Sequence, residues 1–323
     1  MIRIILSFLS IVIVMLIFNY ILFQNSVSGM YKQMKDYNRL VAKNVIQSFD
    51  NAFKEVDNIF HTVDILKTSQ PDIYDWNSHQ NLNMFAMFKL TKGLSGTKSN
   101  SPDYIEQIII YFKNSDLAIT TDGTIAMDDL FGRKYKSAEH PTSYWRSFSH
   151  SIHPVKIMPA SYYTDTITFD RRKRLIAVLA SNMISSGDAT TLVLVDEAKL
   201  LNYVGYSNVF GGASLIVMDS NQNTILNIGE THILDQLQGY SMSDDESYFQ
   251  DESYEYYVEK SDYNGFTYTH ILPVSYGSVF TMVRNNQLIL LFNVLAGIGG
   301  AIALSLYIYN PTRKILGLFG LSR

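Results

Sequence analysis

Ile105-Glu106-Gln107-Ile108-Ile109-Ile110-Tyr111-Phe112, then Asn114-Ser115-Asp116, then Leu117-Ala118-Ile119-Thr120-Thr121 before Asp122-Gly123, is the stretch where the apolar period of this chain changes from 3.6 to 2. β-Branched and aromatic residues fill both runs and turn residues separate them, which predicts an antiparallel hairpin. Upstream the pattern is helical. Residues 25–66 contain no Pro and only Gly29, and apolar residues recur at Met30, Met34, Tyr37, Val41, Val45, Ala52, Val56, Ile59, Val63 and Leu66. Spacings of three and four are the helical period. A helix of roughly 40 residues rises roughly 60 Å. Its stripe reads either as core against its own domain or as a dimer seam. Residues 68–77 are loop-like around Pro71, and residues 78–94 read as a second helix stopped by Gly93 and Gly96.

Downstream, strand-like runs cover residues 156–160, 175–180 and 191–195. Residues 128–153 form a mixed segment with helical hints around Tyr144-Trp145. A shorter unit begins after Gly211-Gly212. Its strands are residues 214–218 and 224–228, joined by the polar turn 219–223, and residues 254–259 and 266–272, split by Tyr263-Asn264-Gly265. One helix-and-strand pattern appears once large and once small. The prediction is an α+β fold of two tandem antiparallel-sheet modules, not a parallel-sheet enzyme.

Two apolar stretches, residues 4–23 and 288–308, bracket these modules. Each is long enough to cross the roughly 30 Å hydrocarbon core of a bilayer. A cleaved signal would have a shorter apolar run and a small-residue cleavage site, and residues 4–23 have neither, so the first stretch reads as an anchor. Arg3 precedes it, while Arg313, Lys314 and Arg323 follow the second stretch, so both termini are expected in the cytoplasm. All 30 Asp and Glu lie from Asp36 to Asp262, and the region between the spans has 22 basic residues, a net charge of −8. An acidic exterior argues against nucleic acid as a partner. No Cys is present, so no disulfide holds this extracytoplasmic region, and burial must stabilise it. The 22 Tyr and 18 Phe suit half-buried sheets and pocket walls.

The order of anchor, long helix, large module, small module and anchor is similar to the double Cache sensor family, whose modules are PAS-like. The likeness is carried by Tyr111-Phe112-Lys113-Asn114-Ser115-Asp116, Tyr144-Trp145-Arg146-Ser147-Phe148, Met158-Pro159-Ala160-Ser161-Tyr162-Tyr163, Leu192-Val193-Leu194-Val195-Asp196-Glu197 and Leu215-Ile216-Val217-Met218-Asp219-Ser220. These stretches resemble most closely the sensory halves of membrane-bound AraC-type regulators of Gram-positive bacteria, with sensor histidine kinases next. The resemblance implies sensing of an extracellular small molecule or partner protein, passed inward by the second span. Relatives continue into a helix-turn-helix or kinase module, whereas this chain stops at Arg323, soon after Tyr309-Asn310-Pro311.

The resemblance places the ligand in the large module, where Tyr144, Trp145, Arg146, Tyr162, Tyr163 and Asp165 supply aromatic walls and a few polar groups. Arg146 is suited to a carboxylate and Asp165 to an ammonium. The alternative is that Trp145 and the tyrosines are core, with Arg146 and Asp165 solvated. Amino-acid-binding relatives carry Arg-x-Trp-Tyr, and Tyr-Trp-Arg stands here instead. No cofactor and no metal is expected. His150 and His153 lack HExxH spacing and a third ligand. Asp244-Asp245-Glu246, with Asp251, Glu252 and Glu255, lacks the spacing of a calcium loop. Gly205-x-Ser207 has no closing Gly for a nucleophile elbow, and Gly297-x-Gly299-Gly300 lies in a span. Arg171-Arg172-Lys173-Arg174 reads as a solvated turn before a strand, with anionic polymer or lipid as the alternative.

In the second span, Ala296 with Gly300, Gly297 with Ala301, and Gly299 with Ala303 are each four apart, a spacing that lets two helices approach and favours a homodimer. The expected layout is a cytoplasmic start (1–3), a first span (4–23), an extracellular helix (24–67), a membrane-distal module (68–204), a membrane-proximal module (205–286), a second span (287–309) and a cytoplasmic stub (310–323). That is a receptor region in contact with membrane lipid and lacking enzymatic activity. A non-signalling adhesion or assembly protein of the envelope is the alternative.

Overall fold

The structure, a computed structural model, describes residues 2–69, 84–112, 116–148, 154–168, 172–181, 189–206, 214–229, 248–250, 253–273, 288–289, 291–300, 302–303 and 306–307. Contacts divide the chain into one unit of Met1–Leu40 with Val274–Arg323, and another of Val41–Pro273. Helix α1 spans Ile2–Thr68 without a break, so the first apolar stretch and the long helix expected after it are one element. No Pro interrupts it, and an added Cβ at its single glycine, Gly29, would meet nothing within 4 Å. Helix α2 follows at Met84–Ser99. Gly93 and Gly96 lie inside α2 instead of ending it. At Gly93 a Cβ would stand 3.0 Å from the Leu66 methyls, so the missing side chain lets α2 approach α1.

The large module is a seven-stranded antiparallel sheet. Its strands are β1 (Ile105–Phe112), β2 (Leu117–Thr120), β3 (Gly123–Ala126), β4 (Lys156–Ile157), β5 (Ser161–Tyr163), β6 (Lys173–Ser181) and β7 (Ala189–Asp196), with helix α3 (Thr142–Phe148) before β4. The order is β3-β2-β1-β7-β6-β4, with β5 also on β6. The hairpin expected at residues 105–121 forms, with Ile110 opposite Ile119. Alternation then assigns the two faces. Ile108, Ile110, Val193, Val195, Ile176 and Val178 join the core with α1, whereas Ile109, Tyr111, Leu192, Leu194, Ala177 and Leu179 join a second core with Trp145. Central strands buried on both faces read as unbroken apolar runs, as they do here.

Helix α4 (Glu197–Tyr203) leads to the small module. Its five-stranded antiparallel sheet runs β10-β11-β12-β8-β9, from β8 (Ser214–Met218), β9 (Thr224–Ile228), β10 (Tyr248–Gln250), β11 (Tyr254–Lys260) and β12 (Thr267–Pro273). Strand β10 is additional to the four expected. One core cluster takes Val45, Phe49, Ala52, Phe53, Val56, Ile59 and Val63 of α1 together with residues of both sheets, including Leu215, Val217 and Tyr268. The stripe of α1 between residues 45 and 63 is therefore core.

Among the described residues, one helix is long and apolar enough to cross a membrane, and it lies in α1 from Ile13, with mean hydropathy 1.4. Helix α5 (Leu291–Gly300) is apolar and shorter, and the remainder of the expected second span is described only in part. Within their unit the two run side by side: Met15, Asn19 and Phe23 line a groove with Ile289, Asn293 and Gly297.

Candidate functional site

The face of the large sheet turned away from α1 is covered by residues 127–148. Met127 N–H donates to the Asp116 carbonyl at 2.7 Å, which starts a short helical turn (Met127–Asp129) continued by a π-turn (Leu130–Lys134). Lys136 and Thr164 exchange two backbone hydrogen bonds, 3.1 and 3.0 Å, which tie this segment to the chain after β5. Under it Trp145 is completely buried. Its ring stacks on Phe131 with centroids 4.9 Å apart, and its indole N–H donates to the His140 carbonyl at 3.2 Å.

His140 is the hub of the aromatic group and was not singled out by sequence. Its ring lies 4.6 Å from Tyr144, 5.7 Å from Trp145 and 6.3 Å from Tyr163, and its Nδ1 is 3.3 Å from the Tyr163 hydroxyl. Burial pushes the imidazole pKa below its usual value, more than the Glu139 charge raises it, so the ring is neutral near pH 7. A lone His in the short stretch Ala138-Glu139-His140-Pro141 carries no local signal of this.

The structure therefore brings Tyr144, Trp145 and Tyr163 together and places the other three elsewhere. Arg146 is exposed and pairs with Asp116 and Asp128, each at 3.2 Å. Tyr162 is exposed and lies under the Arg172 guanidinium, 3.9 Å from the ring centroid. Asp165 accepts from Ile167 N–H at 2.7 Å, Thr168 N–H at 3.0 Å and the Thr168 hydroxyl at 2.8 Å. Burial acts to raise its pKa, but those bonds to Thr168 and Ile167 outweigh it and hold the carboxyl below its usual value. Both charged groups already have partners within the chain.

Tyr163 and Asp165 do line one cavity, with Glu106, Lys134, Tyr135 and Lys173, of about 70 Å³. It is crossed by the Lys173–Glu106 ion pair at 2.9 Å. Metabolite sites run to roughly 300 Å³ and more, so in this arrangement the cavity has room for a few atoms only.

No family model matches this chain, and no curated protein matches it. Solved structures do. The periplasmic sensory domain of the Campylobacter jejuni chemoreceptor Tlp1 superposes with a TM-score of 0.53 at 10% identity, covering 77% of this chain and 98% of that one. The extracellular domain of rpHK1S-Z16, assigned as a histidine kinase, gives 0.51 at 9% identity, covering 76% and 97%. The fold is that of extracytoplasmic sensory domains.

Within residues 41–273 the two modules meet at a polar clasp. Arg174 Nη1 donates to Glu197 at 2.9 Å and to the Asn227 carbonyl of β9 at 3.0 Å, and Ala160 N–H donates to the Ile225 carbonyl at 2.8 Å. The basic run therefore does not end in a solvated turn. Lys173 and Arg174 are in β6, paired with Glu106 and Glu197, because the acids that neutralise them come from distant segments. The small module also grips α1. The Ser261 hydroxyl donates to Asp50 at 2.7 Å, the Tyr263 hydroxyl donates to Asp57, and Phe49 and Phe53 meet Tyr268 and Phe266 with ring centroids 5.5 and 6.2 Å apart.

In the second apolar segment, Gly297 lines the groove against α1, and a Cβ added at Gly297, Gly299 or Gly300 would meet nothing within 4 Å. Ala296 and Ala303 are exposed. Ala301, the His150 and His153 pair, Arg171, and the acids Asp244, Asp245, Glu246, Asp251 and Glu252 lie outside the described residues.

Proposed function

We propose that this chain is the sensor region of a membrane receptor, with its two modules in the double Cache arrangement. It takes an extracellular small molecule or partner protein at the large module and passes the change inward through residues 287–309. The output is an AraC-type DNA-binding module or a histidine kinase, and the chain itself binds no nucleic acid and catalyses no reaction. The observation that carries this reading is the shared core. One face of α1 is buried in both modules, and the same helix carries the apolar segment. A ligand that prefers one arrangement of the modules must then also bias α1. Both termini are assigned to the cytoplasm, and the small residues 296–303 to a homodimer contact.

Thermal-shift screening of the full chain in lipid nanodiscs against a metabolite library tests the input site. A stabilising metabolite is expected, with affinity lowered about tenfold or more by Lys134→Ala or Asp165→Ala, part-exposed residues that line the cavity of the large module. Hits indifferent to both substitutions would remove the large module as the input. Because the chain has no Cys, Ile298→Cys reports the dimer: disulfide-linked pairs are expected in membranes and are lost when Gly300→Leu is added.

A further inference from the structure

One cavity of the unit formed by residues 41–273 lies outside the large module's cover. It lies where α1, the large module and the small module's turns converge, and its volume is about 410 Å³. Phe53 and Asp57 come from α1, Val155 and Ile157 from the β4 region, Asp219 from the β8–β9 turn, and Tyr263 from the β11–β12 turn. Small-molecule sites of this size combine apolar walls with a few fixed polar groups.

The polar groups here are fixed before any ligand arrives. The Asp219 carboxylate accepts from Asn221 N–H and Asn223 N–H, both at 2.8 Å, and from the Asn223 amide at 2.9 Å, which locks its turn. The opposite turn is locked by the Ser261 hydroxyl, which accepts from Tyr263 and Asn264 N–H at 3.1 and 3.2 Å, and by Gly265 at φ +70°, where a side chain would strain. Walls that are already ordered lose little entropy on binding.

Charge decides the class of occupant. Two carboxylates, Asp57 and Asp219, line the cavity against one cation, Lys156. The Lys156 ammonium is drawn over the Phe148 ring, 5.1 Å from its centroid, and Lys54 sits over the Tyr263 ring at 5.0 Å. Asp57 Oδ2 accepts from Tyr263, while Oδ1 has no hydrogen bond among the described residues. Asp57 is part-buried, and burial raises its pKa with His61 opposing, so the carboxylate gains from a cationic partner. Phe53, Phe266, Ile157 and Val178 supply the apolar wall.

We propose that this junction cavity is a second binding site, for an organic ammonium with an apolar body, its nitrogen on Asp57 Oδ1 and its body against Phe53 and Phe266. It is separate from the input site assigned above and stands whether or not the large module binds anything. A ligand there touches α1 and both modules at once, so it acts directly on the coupling between them.

The test uses the full chain in nanodiscs, with phenethylamine, isoamylamine and phenylacetate as probes in calorimetry and thermal shift. Saturable binding of at least one amine is expected, with none of phenylacetate. Asp57→Asn should weaken the amine about tenfold or more, the usual effect of removing a charge-assisted hydrogen bond. Val155→Trp fills the cavity from an exposed position and should abolish binding at an unchanged melting temperature, so loss of the site is separated from loss of the fold. Failure of both amines to bind, or amine binding unchanged in Asp57→Asn or Val155→Trp, overturns the proposal. Asp165→Ala should leave the amine isotherm as it was, which keeps this outcome distinct from that of the input site.

Discussion

Glu197 holds Arg174 within the large module, and Arg174 reaches across to the small one: one guanidinium nitrogen donates to the Glu197 carboxylate at 2.9 Å and to the Asn227 carbonyl of the other sheet at 3.0 Å. Glu197 is the more buried partner, 8% exposed in its side chain against 28% for Arg174, and its second oxygen is buried without a hydrogen bond among the described residues. Arg174→Ala leaves that carboxylate and a strand carbonyl unpaired, at a cost of about 1–3 kcal/mol. The double variant Arg174→Met with Glu197→Leu removes both charges and should recover most of the loss. Urea unfolding of the three proteins measures this, and a single variant as stable as the wild type contradicts the clasp.

The same carboxylate makes stability depend on pH. Burial raises the Glu197 pKa from 4.5 to about 7, with Arg174 pulling the other way. The folded chain keeps this proton where the unfolded chain has released it, so the contribution is full below about pH 4.5 and is lost as pH rises through 7. His270 on β12 is completely buried, and burial lowers its pKa from 6.5 to about 4. Its contribution has the opposite sign, present above 6.5 and lost as pH falls through 4. Melting curves from pH 4 to 8 should show Glu197→Gln losing the decline toward pH 7, and His270→Leu losing the decline toward pH 4. Parallel curves for variant and wild type would refute both assignments.

The strands were legible because their period is local. Ser214–Met218 and Thr224–Ile228 fall where alternation and the 219–223 turn place them. The split of the large sheet into two cores was also latent in the alternation of Ile108, Ile109 and Ile110, once both faces are known to be covered. Other features depend on distant partners and leave no local mark. Gly93 reads as a helix stop until Leu66 is seen against it. The run Arg171-Arg172-Lys173-Arg174 reads as solvated until Glu106 and Glu197 arrive from other segments to pair with Lys173 and Arg174. Of the six candidate ligand residues, the three aromatic ones that meet do so around His140, which no spacing rule picks out.

Lys67, at the end of α1, is 1% exposed, donates to the Thr191 hydroxyl at 2.9 Å and pairs with Asp64 at 2.9 Å. Burial lowers its pKa, more than Asp64 raises it. The ammonium pins the helix end to β7 and is held by few partners. Thr191→Val removes one of them and should cost about 1–3 kcal/mol. Lys67→Met replaces the buried charge with an apolar chain of similar length and should be neutral or stabilising, since Asp64 retains access to water. Chemical denaturation with an unchanged m-value checks both, and a Lys67→Met variant that unfolds would show that the charge itself is required.

Trp145 separates the two readings of the aromatic group. As core, its full burial and its stack on Phe131 make Trp145→Ala a cavity substitution costing about 3–5 kcal/mol. Trp145→Phe keeps most of the apolar volume and leaves the His140 carbonyl without its donor, a smaller loss of about 1–3 kcal/mol. Tyr162→Ala, at an exposed position, should stay within about 0.5 kcal/mol of the wild type. As a ligand wall, Trp145 would instead show a Phe variant of near wild-type stability with weakened metabolite binding. Stability and affinity measured on the same Trp145→Phe protein decide between the two, and the packing around His140 predicts that stability falls while the affinity for the metabolite is kept.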